Sequence, residues 1–221
     1  MSDVDDDALL ELESAKLVQR GMPEKIPYEN MNPAVLFPVM EIVTLGLGYL
    51  AAWGIYSLGG QQDKYDAKIA TLKSLDLGYL YLAVLVAVKI QSALQMFVAI
   101  NRKHSHTDNP DQYVFKTVGR DDLPYVRLED QGAVGRFNRA QRGIDNFREG
   151  YASVLACVLL GGFVFPLPAL VAISVMFVAR VTYSVLYIQN PAGRGPGFVV
   201  ALLANLVLTG LVFFAAIKSF L

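Results

Sequence analysis

Five long apolar stretches dominate this 221-residue chain, at about 34–58, 77–100, 151–165, 167–188 and 198–217. Crossing a bilayer as a helix takes about 20 apolar residues. Backbone groups inside lipid must be satisfied within the segment, so such stretches form helices. Composition agrees: 54% of residues are apolar and only 18% are charged, against about 45–50% and about 25% in an ordinary soluble domain. A soluble globular enzyme and a disordered chain are thereby excluded. The net charge of −1 offers no basic field for nucleic acid. A single cysteine, Cys157, excludes an intrachain disulfide and a cysteine-based zinc site, and its apolar surroundings read as packing.

The third stretch is short, and a polar helical lead-in over 132–150 is expected to extend it out of the membrane. Gly161-Gly162 and Pro166-Leu167-Pro168 read as a tight turn before the fourth stretch, and Asn190-Pro191 with Gly193–Gly197 as the next. Short turns imply antiparallel neighbours and hence an all-α bundle. Residues 1–33 carry Asp3, Asp5, Asp6, Asp7, Glu11 and Glu13 before any apolar run, unlike a secretory signal or a transit peptide. They read as a solvated acidic arm with one short helix near 7–20. Arg102, Lys103, Lys116, Arg120, Arg127, Arg136, Arg139, Arg142, Arg148 and Arg194 fall on one side of the membrane, against Lys64, Lys68, Lys73 and Lys218 on the other. That bias puts the N-terminus and the 102–148 loop on the cytoplasmic side.

Charge inside a span costs several kcal/mol unless paired or wetted, about 3 by insertion measurements. Glu41, in the first stretch, either lies near the interface or pairs with a neighbour. Lys89, mid-way along the second, is expected to face protein and meet a carboxylate on another helix. Arg142, Asn146 and Glu149 stand at i, i+4 and i+7, on one helical face. Arg180, Tyr183 and Tyr187 stand at i, i+3 and i+7, with Arg194 seven positions on. Two such faces together would offer guanidinium groups, an amide, a carboxylate and phenols to a small zwitterionic or multiply charged ligand. The same spacing also suits interhelical packing and loop-side ion pairs.

The run Phe137-Asn138-Arg139-Ala140-Gln141-Arg142-Gly143-Ile144-Asp145-Asn146-Phe147-Arg148-Glu149-Gly150-Tyr151 resembles the second-helix signature Arg-x-x-x-Asn-x-x-Glu of the MAPEG family, the membrane-associated proteins in eicosanoid and glutathione metabolism. Gly161-Gly162 and Pro166 resemble its microsomal glutathione S-transferases of the third type, Arg180-x-x-Tyr183-x-x-x-Tyr187 its fourth-helix entrance, and Asn109-Pro110-Asp111 a loop of its prostaglandin E synthase branch. The resemblance implies a MAPEG-like integral membrane four-helix bundle over 75–221, with 34–58 as one additional N-terminal transmembrane helix and 1–33 as the cytoplasmic arm. It implies a homotrimer binding glutathione between subunits, with endoplasmic reticulum or a mitochondrial membrane as location and membrane lipid as its surroundings. Arg142, Asn146, Glu149, Arg180, Tyr183 and Tyr187 would hold glutathione. Arg194 would activate the thiol, beside Tyr187. The reaction would be transfer of glutathione to a lipophilic electrophile, or reduction of a lipid hydroperoxide. Departures are the extra first span and Asn101, with Arg102 adjacent, where relatives carry an arginine. These leave a second reading open: a non-catalytic accessory subunit of a larger membrane complex.

Overall fold

A computed structural model of the chain describes residues 8, 11–12, 15–17, 31–107, 112–120 and 123–221. Helix α1 is Pro33–Leu58, α2 Gln62–Ser74 and α3 Gly78–Ser105. A hairpin follows, β1 Phe115–Arg120 and β2 Leu123–Leu128. Then come α4 Gly132–Val164, α5 Pro166–Gln189, a 3-10 turn Pro191–Arg194 and α6 Gly195–Phe220. Among the described residues five helices are long and apolar enough to cross a membrane: α1, α3, α4, α5 and the last, counted with its 3-10 turn. The architecture is the expected all-α membrane bundle with one added N-terminal helix. Residues 8, 11–12 and 15–17 of the acidic arm are helical; the rest of the expected helix near 7–20, and Asn109-Pro110-Asp111, lie outside the described residues.

The polar lead-in and the third apolar stretch form one helix of 33 residues, α4. Gly161 and Gly162 lie inside it and not in the following turn, which Phe165 alone provides before Pro166 opens α5. These glycines serve close packing. A Cβ on Gly162 would sit 2.7 Å from Leu80 Cδ1 and 3.3 Å from Ala169 Cβ, and one on Gly161 3.3 Å from Leu211 Cβ. Small residues at crossings let membrane helices approach closely.

The chain forms two compact units. One comprises Gln91–Glu149 and Ala179–Val199, with the segment up to Ala34. Its interior holds Leu94, Val98, Phe137, Ile144, Phe147 and Tyr183. The other comprises Val35–Ile90, Gly150–Val178 and Val200–Leu221. Its interior is built on Ala83, Ala87, Ile90, Val158, Ile173, Met176 and Leu208. In that second unit Lys89 forms an ion pair with Glu41, so both membrane charges find their partner in each other. Pro33 apart, no residue of α1 is buried. The pair is a specific link between α1 and α3.

Two elements are additional to the expected spans. Helix α2 is polar, with Asp63 in its first turn and Lys73 in its last, each complementing the helix dipole. The hairpin pairs Phe115 with Leu128 and Lys116 with Arg127. A two-stranded hairpin is marginal alone, and a buried amide anchors this one. Asn138 donates to the carbonyls of Val114 (2.8 Å) and Glu129 (2.9 Å) and accepts from the Val114 amide (3.0 Å). Glu129 Oε1 accepts from Lys116 Nζ at 3.1 Å and from the Asp130 and Gln131 amides. Burial opposes ionisation of Glu129, but the Lys116 hydrogen bond and the two amides outweigh it and hold the carboxyl below its ordinary value.

Candidate functional site

All seven residues singled out in the sequence lie in the first unit, on α4, α5 and the 3-10 turn. On α4, Arg142 Nη1 donates to Glu149 Oε1 at 2.9 Å, and both side chains are exposed, by 50% and 60%. One helical turn separates each from Asn146, between them, which faces α5. There Arg180 Nη1 donates to Asn146 Oδ1 at 2.9 Å, and the Arg180 guanidinium carbon lies 5.4 Å from the centre of the Phe147 ring. The two faces thus meet through one charge-assisted hydrogen bond and one cation–π contact.

Arg180 is the electrostatic focus. Its Nε is buried without a hydrogen-bond partner, and among the described residues no carboxylate pairs with it. Its charge rests on an amide oxygen and a ring face. One turn along α5, Ser184 Oγ is likewise buried without a partner. It faces Gly143, where a Cβ would come within 3.3 Å of it. A partly desolvated cation and an unmet hydroxyl make this a strip suited to an anionic or hydrogen-bonding group.

Next to Ser184, Tyr183 is 3% exposed and its ring centre lies 5.6 Å from that of Tyr187. Arg194, exposed in the 3-10 turn, stands 5.7 Å from the Tyr187 ring centre. Asn190 fixes that turn by accepting from the Ala192 amide at 2.9 Å. Gly197, in the first turn of α6, lets α6 touch the Tyr183 backbone: a Cβ there would lie 2.5 Å from Tyr183 N and 2.7 Å from Ala179 O. The site is therefore three groups of contacts: Glu149 with Arg142; Arg180 with Asn146 and Phe147; and Tyr187 with Tyr183 and Arg194. Neither described cavity is lined by any of them.

Sequence spacing missed several supporting residues. Arg139 donates twice to the Ile188 carbonyl (3.0 and 2.8 Å) and once to the Asp130 carbonyl (2.8 Å), tying the start of α4 to the end of α5. Arg148 approaches Gln95 on α3 at 3.3 Å and Asp145 at 3.6 Å, while Asp145 accepts from Tyr113. Arg102, adjacent to the position where an arginine is expected, is 8% exposed and donates to the Thr107 carbonyl at 3.2 Å. It closes the end of α3. Phe147 carried a signal in the sequence, an aromatic beside the Asn146 position; the carbonyl contacts of Arg139 and Arg102 carried none.

No individual curated protein matches the chain. The sequence profile of one family matches residues 79–214, from the first turn of α3 into α6, and so includes every residue of the site while leaving out α1 and α2. Spans and profile agree, and the chain belongs to the MAPEG family.

Proposed function

We propose that the protein is a glutathione-dependent transferase or peroxidase acting on lipophilic electrophiles or lipid hydroperoxides within the membrane. The observation that carries this reading is Arg180, a desolvated guanidinium with an amide and a ring for company and, among the described residues, no carboxylate. A peptide carboxylate would supply the missing counter-charge. Beside it, the exposed Arg142–Glu149 pair is worth about 0–1 kcal/mol, so a zwitterion can replace it at little cost. Its carboxylate would go to Arg142 and its ammonium to Glu149. Asn146 and Tyr183 would fix the ligand's register against α5.

Arg194 and Tyr187 are the proposed catalytic pair. A free thiol has a pKa of about 8.5, and an adjacent permanent cation favours the thiolate. The thiolate then attacks an electrophilic carbon to form a thioether, as a leaving group departs with its bonding pair or, at a conjugated double bond, as the π pair moves to the acceptor oxygen and the product takes up a proton. With a hydroperoxide, two glutathiones give the disulfide while the hydroperoxide leaves as alcohol and water. The Tyr187 hydroxyl stabilises negative charge in the transition state. In this reading a neighbouring protomer of a homotrimer closes the open side of the site. The likeness to the third type of microsomal glutathione S-transferase, through Gly161-Gly162 and Pro166, supports the same chemistry.

Calorimetry with glutathione, on full-length protein in mild detergent, tests this. Saturable binding is expected, and Arg142→Ala should weaken it by about 1.5–3 kcal/mol, roughly 10- to 150-fold. Absence of binding discards the enzyme. The second reading, an accessory subunit of a larger membrane complex, is favoured by α1, whose residues beyond Pro33 all stand unburied. Migration on native gels far above a trimer, without glutathione binding, would establish it instead.

A further inference from the structure

The elbow between α1 and α2 lies outside the family-matched segment and contains a cleft of about 280 Å³. Ala52, Ile55 and Tyr56 of α1 and Tyr65 and Ile69 of α2 wall it, and Lys68 is the one cation on its lining. The elbow is built, not incidental. Gly60 turns the chain with φ +65°, a conformation favouring glycine. Tyr56 donates its hydroxyl to Asp66 at 2.8 Å, and the Tyr56 and Tyr65 rings stand 6.3 Å apart.

Depth decides what meets this cleft. Tyr56 is ten residues beyond the middle of the 26-residue α1, or about 15 Å at 1.5 Å per residue. That is the boundary of a hydrocarbon core about 30 Å thick. Helix α2 then carries Tyr65, Ile69 and Leu72 at i, i+4 and i+7, with Lys64, Lys68 and Lys73 beside them. The helix as a whole is polar, so this narrow apolar edge flanked by lysine stems is what it offers to a lipid surface. Asp66, the nearest acid in the sequence, accepts from Tyr56, and Lys68 makes no ion pair among the described residues.

We propose that this elbow binds one anionic phospholipid, its acyl chain in the apolar cleft and its phosphate on Lys68. Apolar walls alone would accept any lipid chain. The cation at the mouth selects the head group, and the tyrosines sit at head-group depth.

The test is native mass spectrometry of the full-length protein released from detergent containing equal phosphatidylglycerol and phosphatidylcholine. Wild type should retain one phosphatidylglycerol in preference to phosphatidylcholine. Lys68→Glu should reduce that preference at least about tenfold, since it reverses one interfacial charge. Ala52→Phe, filling the cleft, should remove retention of both lipids. Equal retention of the two lipids by wild type, or unchanged retention in both variants, would overturn the proposal. So would displacement by soluble glycerol phosphate, which lacks a chain. Photo-crosslinking of wild type with a chain-labelled phosphatidylglycerol covers variants that fail to fold. Adducts within 52–69 support the site, and adducts confined elsewhere overturn it.

Discussion

Gly197 and Gly143 are both contact points for α5, but with different neighbours. At Gly197 an added Cβ would meet the backbone of Tyr183 and Ala179, which cannot rotate away; at Gly143 it would meet the Ser184 hydroxyl, which can. Gly197→Ala is therefore expected to cost about 1–3 kcal/mol, while Gly143→Ala stays nearly neutral; thermal unfolding in detergent compares them. Arg180 separates stability from function in another way. Replacing a buried charge by a packed apolar chain is often neutral or stabilising. Arg180→Met should keep or raise the melting temperature while abolishing glutathione binding. A marked drop in melting temperature with binding intact would make Arg180 a structural strut.

Helix α1 hangs on α3 through Glu41 and Lys89. Removing one partner strands the other in lipid, at about 3 kcal/mol for a mid-span charge. Glu41→Gln or Lys89→Met alone should destabilise, and the double variant should recover much of the loss, a coupling that a double-mutant cycle of thermal stability measures. The hairpin responds to pH instead. Glu129 has a lowered carboxyl pKa in the folded chain, so its contribution is complete above the ordinary glutamate value of about 4.3. It is lost as pH falls through the lower folded value. Amide exchange of the hairpin should accelerate across that acid window, and Glu129→Gln should flatten the response. Neither element was equally legible in the sequence. The spans were, because crossing a bilayer demands a long apolar run, and so was the Arg142/Asn146/Glu149 face, because helical period alone sets it. Helix α2 was not: it is 13 residues long and polar. The hairpin was not, because its anchor, Asn138, lies far along the chain. Gly161-Gly162 misled, since glycine serves both turns and close crossings and only the partner helix, here Leu80, Ala169 and Leu211, tells which.

Topology belongs to the whole molecule: if all five candidate helices cross, their odd number is expected to place the two ends of the chain on opposite sides of the membrane. A crossing by α3, which lies between α2 and the hairpin in the sequence, is likewise expected to separate those two elements. The basic excess sits with the hairpin and Arg194, and Lys/Arg bias sets orientation; the proposed glutathione site is therefore expected to open to the cytoplasm, and the proposed lipid site is expected in the other leaflet. Because Cys157 is the only cysteine, Cys157→Ser supplies a clean background. Single cysteines at Lys116→Cys and Lys64→Cys can then be probed with an impermeant maleimide in sealed vesicles whose cytoplasmic face is outward. Position 116 should label at once and position 64 only after the membrane is opened. Equal labelling of both would mean that α3, the one long helix between the two positions, does not cross.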